Sequence, residues 1–294
     1  MPQTTSATGA LRSSSVLVTG ATGKLGREVV DRLRAQDARI RALSRRPAGA
    51  LPGVEPLAGD LTEPTTVRTA LEGINTVLLL WPLLDAAPAY GLVEELTTTA
   101  PRVIYLSSTA VDDTAARQSD PIVQVHADME TMLRDAGLRP VVLRSDTLAS
   151  NARGWAAQVR AGDVVTGPDI ARTAVIDERD VADAALALLC AHQDDELDDA
   201  PRLLTGPEVL SRADQVDRLG AALGRPLRFE TVPADVARTR MLADGRPEQL
   251  VDALIAASQH RPESRRVTDH VERLTGHPAT SFEQWATDHA ADFS

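Results

Sequence analysis

Three glycines near the N-terminus have the spacing of a loop that binds a dinucleotide phosphate. They follow the apolar run VLVT and precede a helical pattern, within the segment TGATGKLG. In such a loop one glycine allows a tight turn, the next lets the backbone approach a pyrophosphate, and the third lets the helix pack on the strand. The helix N-terminus then offers free amide groups to the anion. The predicted cofactor residues of this loop are Gly20, Thr22, Gly23, Lys24, Leu25 and Gly26.

The end of the second predicted strand indicates which dinucleotide binds. An NAD(H) site usually carries Asp or Glu about 20 residues beyond the loop. Here that region reads RALSRRP, with Ser44, Arg45 and Arg46 and no carboxylate. Guanidinium groups would form charge-assisted bonds with a ribose 2′-phosphate, which a carboxylate would repel. The sequence therefore predicts NADP(H), with Arg45 as the stronger candidate, and leaves use of NAD(H) open.

Short apolar runs alternate with helical patterns in the first half of the chain, as βαβ units around a parallel sheet require. The predicted strands there are Val16–Thr19, Ala38–Leu43, Val54–Ala58, Thr76–Leu80, Arg102–Ser107 and Pro140–Leu143. The predicted helices between them are Lys24–Ala35, Glu63–Leu71, Ala86–Thr98 and Ile122–Ala136. Further along, helices are predicted at Asn151–Arg160 and Asp180–Cys190, and strands at Val164–Gly167, Thr173–Ile176, Leu203–Leu204 and Leu227–Val232.

This pattern predicts an α/β fold with a Rossmann-type doubly wound parallel sheet and a smaller C-terminal substrate-binding region. Residues 1–15 are polar and are expected to form a flexible tail. Residues 16–150 are expected to form the dinucleotide-binding core. Residues 151–294 are expected to complete that core and to form a mainly helical substrate-binding part.

The amino-acid composition indicates which kinds of molecule the protein can bind. The 294 residues include 31 basic and 42 acidic side chains, a formal charge of −11, and no basic block, which argues against general nucleic-acid binding. The apolar runs are too short to span a membrane. The single cysteine cannot form an internal disulfide, and the six histidines show no metal-ligand spacing. We expect a cytoplasmic monomer or homodimer that binds a small-molecule substrate and no metal.

Several motifs together resemble one group of enzymes and regulators. The segments TGATGKLG, the arginine after the second strand, AGDL at 58–61, YLSST at 105–109 and VIDERDVADAAL at 175–186 resemble the NmrA-like group of atypical short-chain dehydrogenase/reductases. The resemblance covers nearly the whole chain after residue 15. That group includes NAD(P)H-binding regulators, type-2 quinone reductases and bacterial tailoring enzymes.

The resemblance also implies further cofactor contacts by position. These are Asp60 and Leu61 at the adenine, Leu80 and Trp81 at the ribose and pyrophosphate, and Ser107 with Ser108 near the nicotinamide.

Typical short-chain reductases protonate the substrate oxygen with a tyrosine whose pKa is lowered by a lysine four residues later. This chain cannot carry that pair, because its single lysine is in the glycine loop and its tyrosines are Tyr90 and Tyr105. With Glu130 as the reference, His126 takes the position of the lysine. A carboxylate four residues away could orient the imidazole or raise its pKa, which would suit a general acid. The alternative interpretation is an exposed helix with a fortuitous pair.

Other polar side chains follow the fifth and sixth strands. The candidate catalytic residues are His126, Ser108, Thr109 and Asp146, and the candidate substrate-binding residues are Trp81, Ser145, Asp146, Thr147 and Trp155. Relatives usually show Arg-Pro where this chain reads LRSDTLASN. That change indicates either a substrate-specific site or drift in a non-catalytic protein. A helical tryptophan such as Trp155 is also common in an ordinary core.

The first hypothesis is an NADPH-dependent reductase of a quinone or of a conjugated aromatic or polyketide-like molecule. Such acceptors delocalise the developing anion and need less help from a proton donor. Two alternatives stay open: a non-catalytic regulator that senses NADP(H) and binds a protein partner, and an isomerase, cyclase or lyase on the same fold. The arginine-rich composition is associated with GC-rich genomes and specialised metabolism.

Overall fold

The computed structural model describes residues 15–36, 38–47, 52–99, 101–191, 199–264 and 266–294. The tail predicted for residues 1–15 lies outside the described residues except for Ser15, which begins the first strand. Among the described residues, no helix combines the length and the apolar character that a membrane crossing requires.

The strands confirm the predicted parallel sheet. They are β1 (Ser15–Thr19), β2 (Arg39–Ser44), β3 (Val54–Ala58), β4 (Thr76–Leu79), β5 (Arg102–Ser108), β6 (Val141–Ser145), β7 (Val164–Gly167), β8 (Arg202–Leu204) and β9 (Arg228–Thr231). Seven of them form one sheet in the order β3-β2-β1-β4-β5-β6-β8. The interior strand β1 runs parallel to both neighbours, so that Val16 lies opposite Ile40 on β2 and Thr76 on β4. The order reverses at β1, which is where doubly wound folds bind dinucleotides.

Helices connect these strands. The α-helices of the described residues are α1 (Lys24–Ala35), α2 (Pro64–Leu71), α3 (Tyr90–Thr99), α4 (Pro121–Asp135), α5 (Ala156–Ala161), α6 (Glu178–Cys190), α7 (Arg212–Ala222), α8 (Ala234–Ala243), α9 (Glu248–His260), α10 (His270–Thr275) and α11 (Phe282–Asp288). Most bounds agree with the prediction within one or two residues. The α/β fold of Rossmann type is therefore confirmed.

Two predicted elements differ from the observed ones. The helix predicted at 151–160 begins instead as a 3₁₀ helix, Ala149–Trp155, before α5, and Gly154 in its middle has low helix propensity. The strand predicted at 173–176 forms only two isolated bridges, Thr173 with Leu210 and Ile176 with Leu148. Its two ends pair with different partners, so no continuous ladder forms.

The chain divides into two compact units. The first comprises Met1–Ser107, Asp128–Arg144 and Val181–Arg202, and the second comprises Ser108–Ala127, Ser145–Asp180 and Leu203–Ser294. Each unit thus draws on three segments of the chain, whereas the sequence-based division placed one boundary at residue 150.

Each unit has its own core. In the first, β4 is buried at every position and β1 at all but its first residue, which explains why their sequences are continuously apolar. In the second, Phe282, Trp285 and Phe293 form an aromatic centre, in which the rings of Phe282 and Trp285 stack with centroids 5.5 Å apart. The β7–β9 pair and α7 contribute Val165 and Leu219 to this core.

Candidate functional site

The glycine loop has the backbone geometry that its sequence predicts. Gly20 follows β1 with φ +62°, a left-handed conformation that favours glycine. A Cβ at Gly26 would overlap the carbonyl oxygen of Gly20, so the close approach of α1 to the loop requires glycine there. Gly23 is the N-cap of α1 and supplies no side-chain cap. The N-terminus of α1 thus carries no side-chain cap from Gly23, and its amide groups and dipole favour an anion such as a phosphate.

Beside this loop the first unit contains a cavity of about 450 Å³ whose lining includes Thr22, Arg45 and Arg46. The two arginines follow β2 directly and are exposed. A cavity with two guanidinium groups and a hydroxyl fits the 2′-phosphate of NADP(H). These residues, predicted from separate parts of the sequence, are brought together by the pairing of β1 with β2.

The other predicted cofactor residues of the first unit lie on the loops after β3 and β4. The amide and hydroxyl of Thr62 bind Asp60 Oδ1, and with the charge of Arg45 they lower the pKa of Asp60. The backbone of Leu80 exchanges two hydrogen bonds with the Thr19 hydroxyl, of 2.7 and 2.9 Å. Trp81 is nearly buried and donates its indole N–H to the carbonyl of Asp85.

The remaining residues predicted for the cofactor in this part of the chain are placed as follows: Lys24 is exposed at the first position of α1, and Leu25 and Leu61 are buried.

Ser107 makes a contact that the sequence analysis did not predict. Its hydroxyl donates to Glu130 Oε1 at 2.5 Å, and Glu130 is only 1% exposed. Arg144 at the end of β6 donates to both oxygens of Glu130, at 2.9 and 2.8 Å, and Arg134 adds a fourth bond. Burial alone would raise the pKa of Glu130, but the bonds from Arg144 and Ser107 lower it below its ordinary value. Glu130 is therefore a buried structural carboxylate and not the exposed helix residue of the alternative interpretation.

The polar residues after β5 and β6 meet within the second unit. Thr109 donates to Asp146 Oδ2 at 3.0 Å, and Ser264 donates to the same oxygen at 2.7 Å. The amide of Thr147 binds Asp146 Oδ1 at 2.7 Å. Ser145 donates to the carbonyl of Asp146. Asp146 is 7% exposed and accepts hydrogen bonds on both oxygens, so it is held as an ordered carboxylate.

Ser108 differs from its neighbours in having a hydroxyl that can still donate. It is nearly buried, and its oxygen accepts the amide of Ala110 at 3.2 Å. Among the described residues no acceptor meets its hydroxyl hydrogen. Ser108 can therefore donate a hydrogen bond to a ligand.

The remaining candidates lie on α4, in the core of the second unit, in β5 and on α3. His126 is half-buried on α4. Trp155 packs against the aromatic core of the second unit, which agrees with the ordinary-core interpretation. Burial raises the pKa of Tyr105, which is fully buried in β5, and Tyr90 is 68% exposed on α3. Neither tyrosine is placed as a proton donor of the usual type.

Two residues near the start of α4 were not predicted from the sequence. Asp120 caps α4 through its bond to the amide of Ile122 and also accepts from Arg261 Nε at 3.0 Å. The Asp-Pro pair before α4 is a helix-start signal that could have identified Asp120. Arg261 lies far away in sequence, so only the folded chain reveals that it also donates to the Thr147 hydroxyl, at 3.2 Å.

Comparisons with known proteins show the family and the cofactor of this chain. A sequence profile of a family described as NAD(P)H-binding matches residues 20–191. The (4-alkanoyl-5-oxo-2,5-dihydrofuran-3-yl)methyl phosphate reductase of Streptomyces griseus is 34% identical over 292 residues, covering 95% of this chain and 99% of the relative. The NAD(P)H azoreductase of Xenophilus azovorans is 30% identical over 291 residues, again covering 95% and 99%.

A solved structure shows the same fold. The NADPH-dependent quinone oxidoreductase QOR2 of Escherichia coli, crystallised with NADPH, superposes with a TM-score of 0.76 over 93% of this chain and 99% of that chain, at 21% identity. The glycine loop and the arginine-lined cavity fit the same kind of cofactor. The chain belongs to the NAD(P)H-binding family and is an oxidoreductase that uses NADP(H).

Proposed function

We propose that the protein is an NADPH-dependent reductase of a quinone or of another small conjugated acceptor. Arg45 and Arg46 would hold the 2′-phosphate, and the loop Gly20–Gly26 would hold the pyrophosphate. When bound, NADPH supplies a hydride to the acceptor. The single cysteine is compatible with a reaction in the cytoplasm, which is part of this proposal.

One observation carries the preference for a conjugated acceptor. The chain has one lysine and two tyrosines, and Tyr105 is buried while Tyr90 lies on the outside of α3. A tyrosine–lysine proton donor is therefore missing. A simple ketone would need such a donor, because reduction localises negative charge on one oxygen. A quinone or an unsaturated carbonyl compound spreads that charge over several atoms.

The residues after β5 and β6 would then bind and protonate the acceptor. Ser108 would donate a hydrogen bond to the developing oxyanion, since its hydroxyl hydrogen has no acceptor among the described residues. His126, or a water molecule that it holds, would supply the proton. Asp146, fixed by Thr109 and Ser264, would orient the substrate or that water.

The names of the relatives support the same substrate class. The Streptomyces griseus relative reduces a dihydrofuran that carries ring and alkanoyl carbonyl groups, and the Xenophilus azovorans relative reduces azo compounds. Both names describe π-systems, in which charge can be delocalised. We propose that the acceptor of this chain shares that property.

The test begins with fluorescence titrations of NADPH and NADH, followed by addition of a simple quinone in the same cuvette. We expect tighter binding of NADPH and loss of its 340-nm absorbance when the quinone is added. Nucleotide binding without oxidation across several conjugated acceptors would overturn the proposal and favour a regulator or a non-redox enzyme.

A matched pair of variants tests the cofactor assignment. Arg45→Ala should lower the ratio of NADPH to NADH affinity by about tenfold or more, because a charge-assisted phosphate contact is lost. Arg39→Ala removes an exposed arginine from the other end of β2 and should leave that ratio unchanged. An unchanged ratio in Arg45→Ala would refute the assignment of Arg45 to the 2′-phosphate.

A further inference from the structure

Three arginines of the second unit lie near enough to one another for their positive charges to interact. Arg212 is the first residue of α7, Arg246 follows α8, and Arg261 follows α9. Burial lowers the pKa of Arg212 to about 10; Asp169 opposes this effect, and the charges of Arg246 and Arg261 add to it. Like charges near one another disfavour the charged form, and an anion bound between these guanidinium groups would relieve that repulsion.

The protein only partly neutralises this cluster. Arg261 is paired with Asp120. The side chains of Arg212 and Arg246 form no hydrogen bond or ion pair with any residue that the structure describes. Asp169 is exposed and close enough to attract Arg212, but it is not in salt-bridge contact with it. The N–H groups of these two half-buried guanidinium groups can therefore donate hydrogen bonds to a ligand.

The backbone of two glycines lies beside two of these guanidinium groups. A Cβ at Gly167, the last residue of β7, would lie 3.0 Å from Arg212 Nη1, closer than ordinary van der Waals contact. A Cβ at Gly154 would lie 3.5 Å from Arg246 Nη2. The backbone at both positions thus approaches the arginine head groups closely.

The cluster adjoins the segment proposed to bind the substrate. Arg261 donates to the hydroxyl of Thr147, one residue beyond Asp146. A group held by the arginines would therefore belong to a molecule that also reaches Asp146 and Thr147.

We propose that Arg212, Arg246 and Arg261 form a subsite for a phosphate group carried by the substrate. Phosphate suits this cluster because it offers several acceptor oxygens and up to two negative charges, and guanidinium can bind two of those oxygens at once. That the phosphate belongs to the substrate rests on the proposed function. Phosphate binding itself can be measured without any turnover.

The test uses inorganic phosphate as the probe and isothermal titration calorimetry as the measurement. The full-length protein carries Arg45→Ala and Arg46→Ala, which removes both guanidinium groups of the cofactor cavity, and every further variant is compared with this parent. In this background, Arg212→Gln and Arg246→Gln should each weaken phosphate binding about tenfold or more. Arg273→Gln, which removes a 70% exposed arginine paired with Asp269, is the control and should leave the affinity unchanged. Absence of saturable binding in the parent, or equal affinity in the Arg212 and Arg246 variants, would overturn the subsite.

Thermal unfolding separates a binding role from a structural one. Arg212 has no ion pair to lose, and its removal relieves repulsion, so the midpoint of Arg212→Gln should equal or exceed that of its parent. A marked decrease for both Arg212→Gln and Arg246→Gln would assign the arginines a structural role and contradict the proposal.

The same titration distinguishes the two proposals. One outcome is arginine-dependent phosphate binding in a protein that fails to oxidise NADPH with any conjugated acceptor tested. This outcome would preserve the subsite and reject the reductase proposal. Quinone reduction together with a phosphate affinity that is unchanged in the arginine variants would reject the subsite alone. Where both hold, a phosphorylated conjugated acceptor should show a lower KM than its dephosphorylated form, and Arg212→Gln should abolish that difference.

Discussion

At the scale of single residues, the carboxylate of Glu130 is held by four hydrogen bonds. It sits on the inner face of α4 and receives bonds from a strand serine, a strand arginine and a helix arginine. A buried ion pair of this kind adds little compared with an apolar pair, but removing one partner is costly, because the other charge loses its compensation. Glu130 therefore supports the end of β5, where Ser107 and Ser108 lie.

We predict that Glu130→Gln lowers the free energy of unfolding by about 3–5 kcal/mol at neutral pH, because Arg144 loses its carboxylate partner. The folded-state pKa of Glu130 lies below its ordinary value of 4.5. Its contribution is thus complete above that value and is lost as the pH falls through the folded-state pKa. Urea titrations should show the difference between wild type and variant shrinking below about pH 4.5. Glu94→Gln, on the exposed face of α3, is the control, and a pH-independent difference for Glu130→Gln would contradict this assignment.

A second prediction at this scale concerns the proton. His126→Gln should lower kcat for quinone reduction by about a hundredfold or more, the usual contribution of a general acid. His260→Gln, an exposed histidine at the end of α9, is the matched control. Full activity of His126→Gln would remove His126 from the mechanism.

At the scale of elements, we expect cofactor binding to depend on the glycine loop that connects β1 to α1. The loop turns at Gly20, whose positive φ places it against Leu80, with the Leu80 Cβ 3.3 Å from a Cβ built at position 20. The helix then returns so closely that only glycine fits at Gly26. The loop and the helix N-terminus thus act as one phosphate-binding element.

We predict that Gly26→Ala lowers stability by about 1–3 kcal/mol, the usual effect of overpacking, and weakens NADPH binding by at least tenfold. The added methyl would overlap the Gly20 carbonyl and push α1 away from the loop. Gly162→Ala is the control, because a Cβ there meets nothing within 4 Å. Thermal unfolding and NADPH fluorescence report both quantities, and wild-type NADPH affinity in Gly26→Ala would count against this role of the loop.

At the scale of the whole molecule, the two units are built from alternating chain segments. The first unit is completed only by its last segment, which includes most of α6. Within that unit Asp183 accepts from Arg32 Nε at 2.5 Å, and the carbonyl of Ala191 accepts from Arg102 Nη1 at 2.9 Å. The buried face of α6, including Val181 and Leu188, also belongs to its core.

We therefore predict that a fragment ending at residue 150 shows no cooperative thermal transition and no measurable NADPH binding, although it contains the entire glycine loop. The fragment leaves apolar surface of the sheet uncovered and Arg32 without Asp183. Appending residues 178–204 through a glycine–serine linker should recover part of the transition. Cooperative unfolding of the shorter fragment would show that α6 is dispensable.

The sequence by itself determined the local elements and the cofactor. Strand bounds, the start of α1, the glycine turn at Gly20 and the arginines after β2 all follow from short-range patterns, because backbone propensity, capping and glycine conformation depend on neighbouring residues. The Thr173–Ile176 strand was predicted less well, since its pairing depends on distant partners. The Asn151–Arg160 helix also differs, since it begins as a 3₁₀ helix that contains Gly154.

Only the tertiary structure decided which distant side chains meet. Ser264 lies 118 residues from Asp146, and Arg261 lies 141 residues from Asp120, yet both pairs are in hydrogen-bond contact. The arginine cluster likewise combines α7 with the ends of α8 and α9. Charge pairing and burial depend on three-dimensional distance, which a single sequence does not encode in its spacing. The cofactor could therefore be predicted, while the surroundings of Asp146 and Arg212 emerged only in the folded chain.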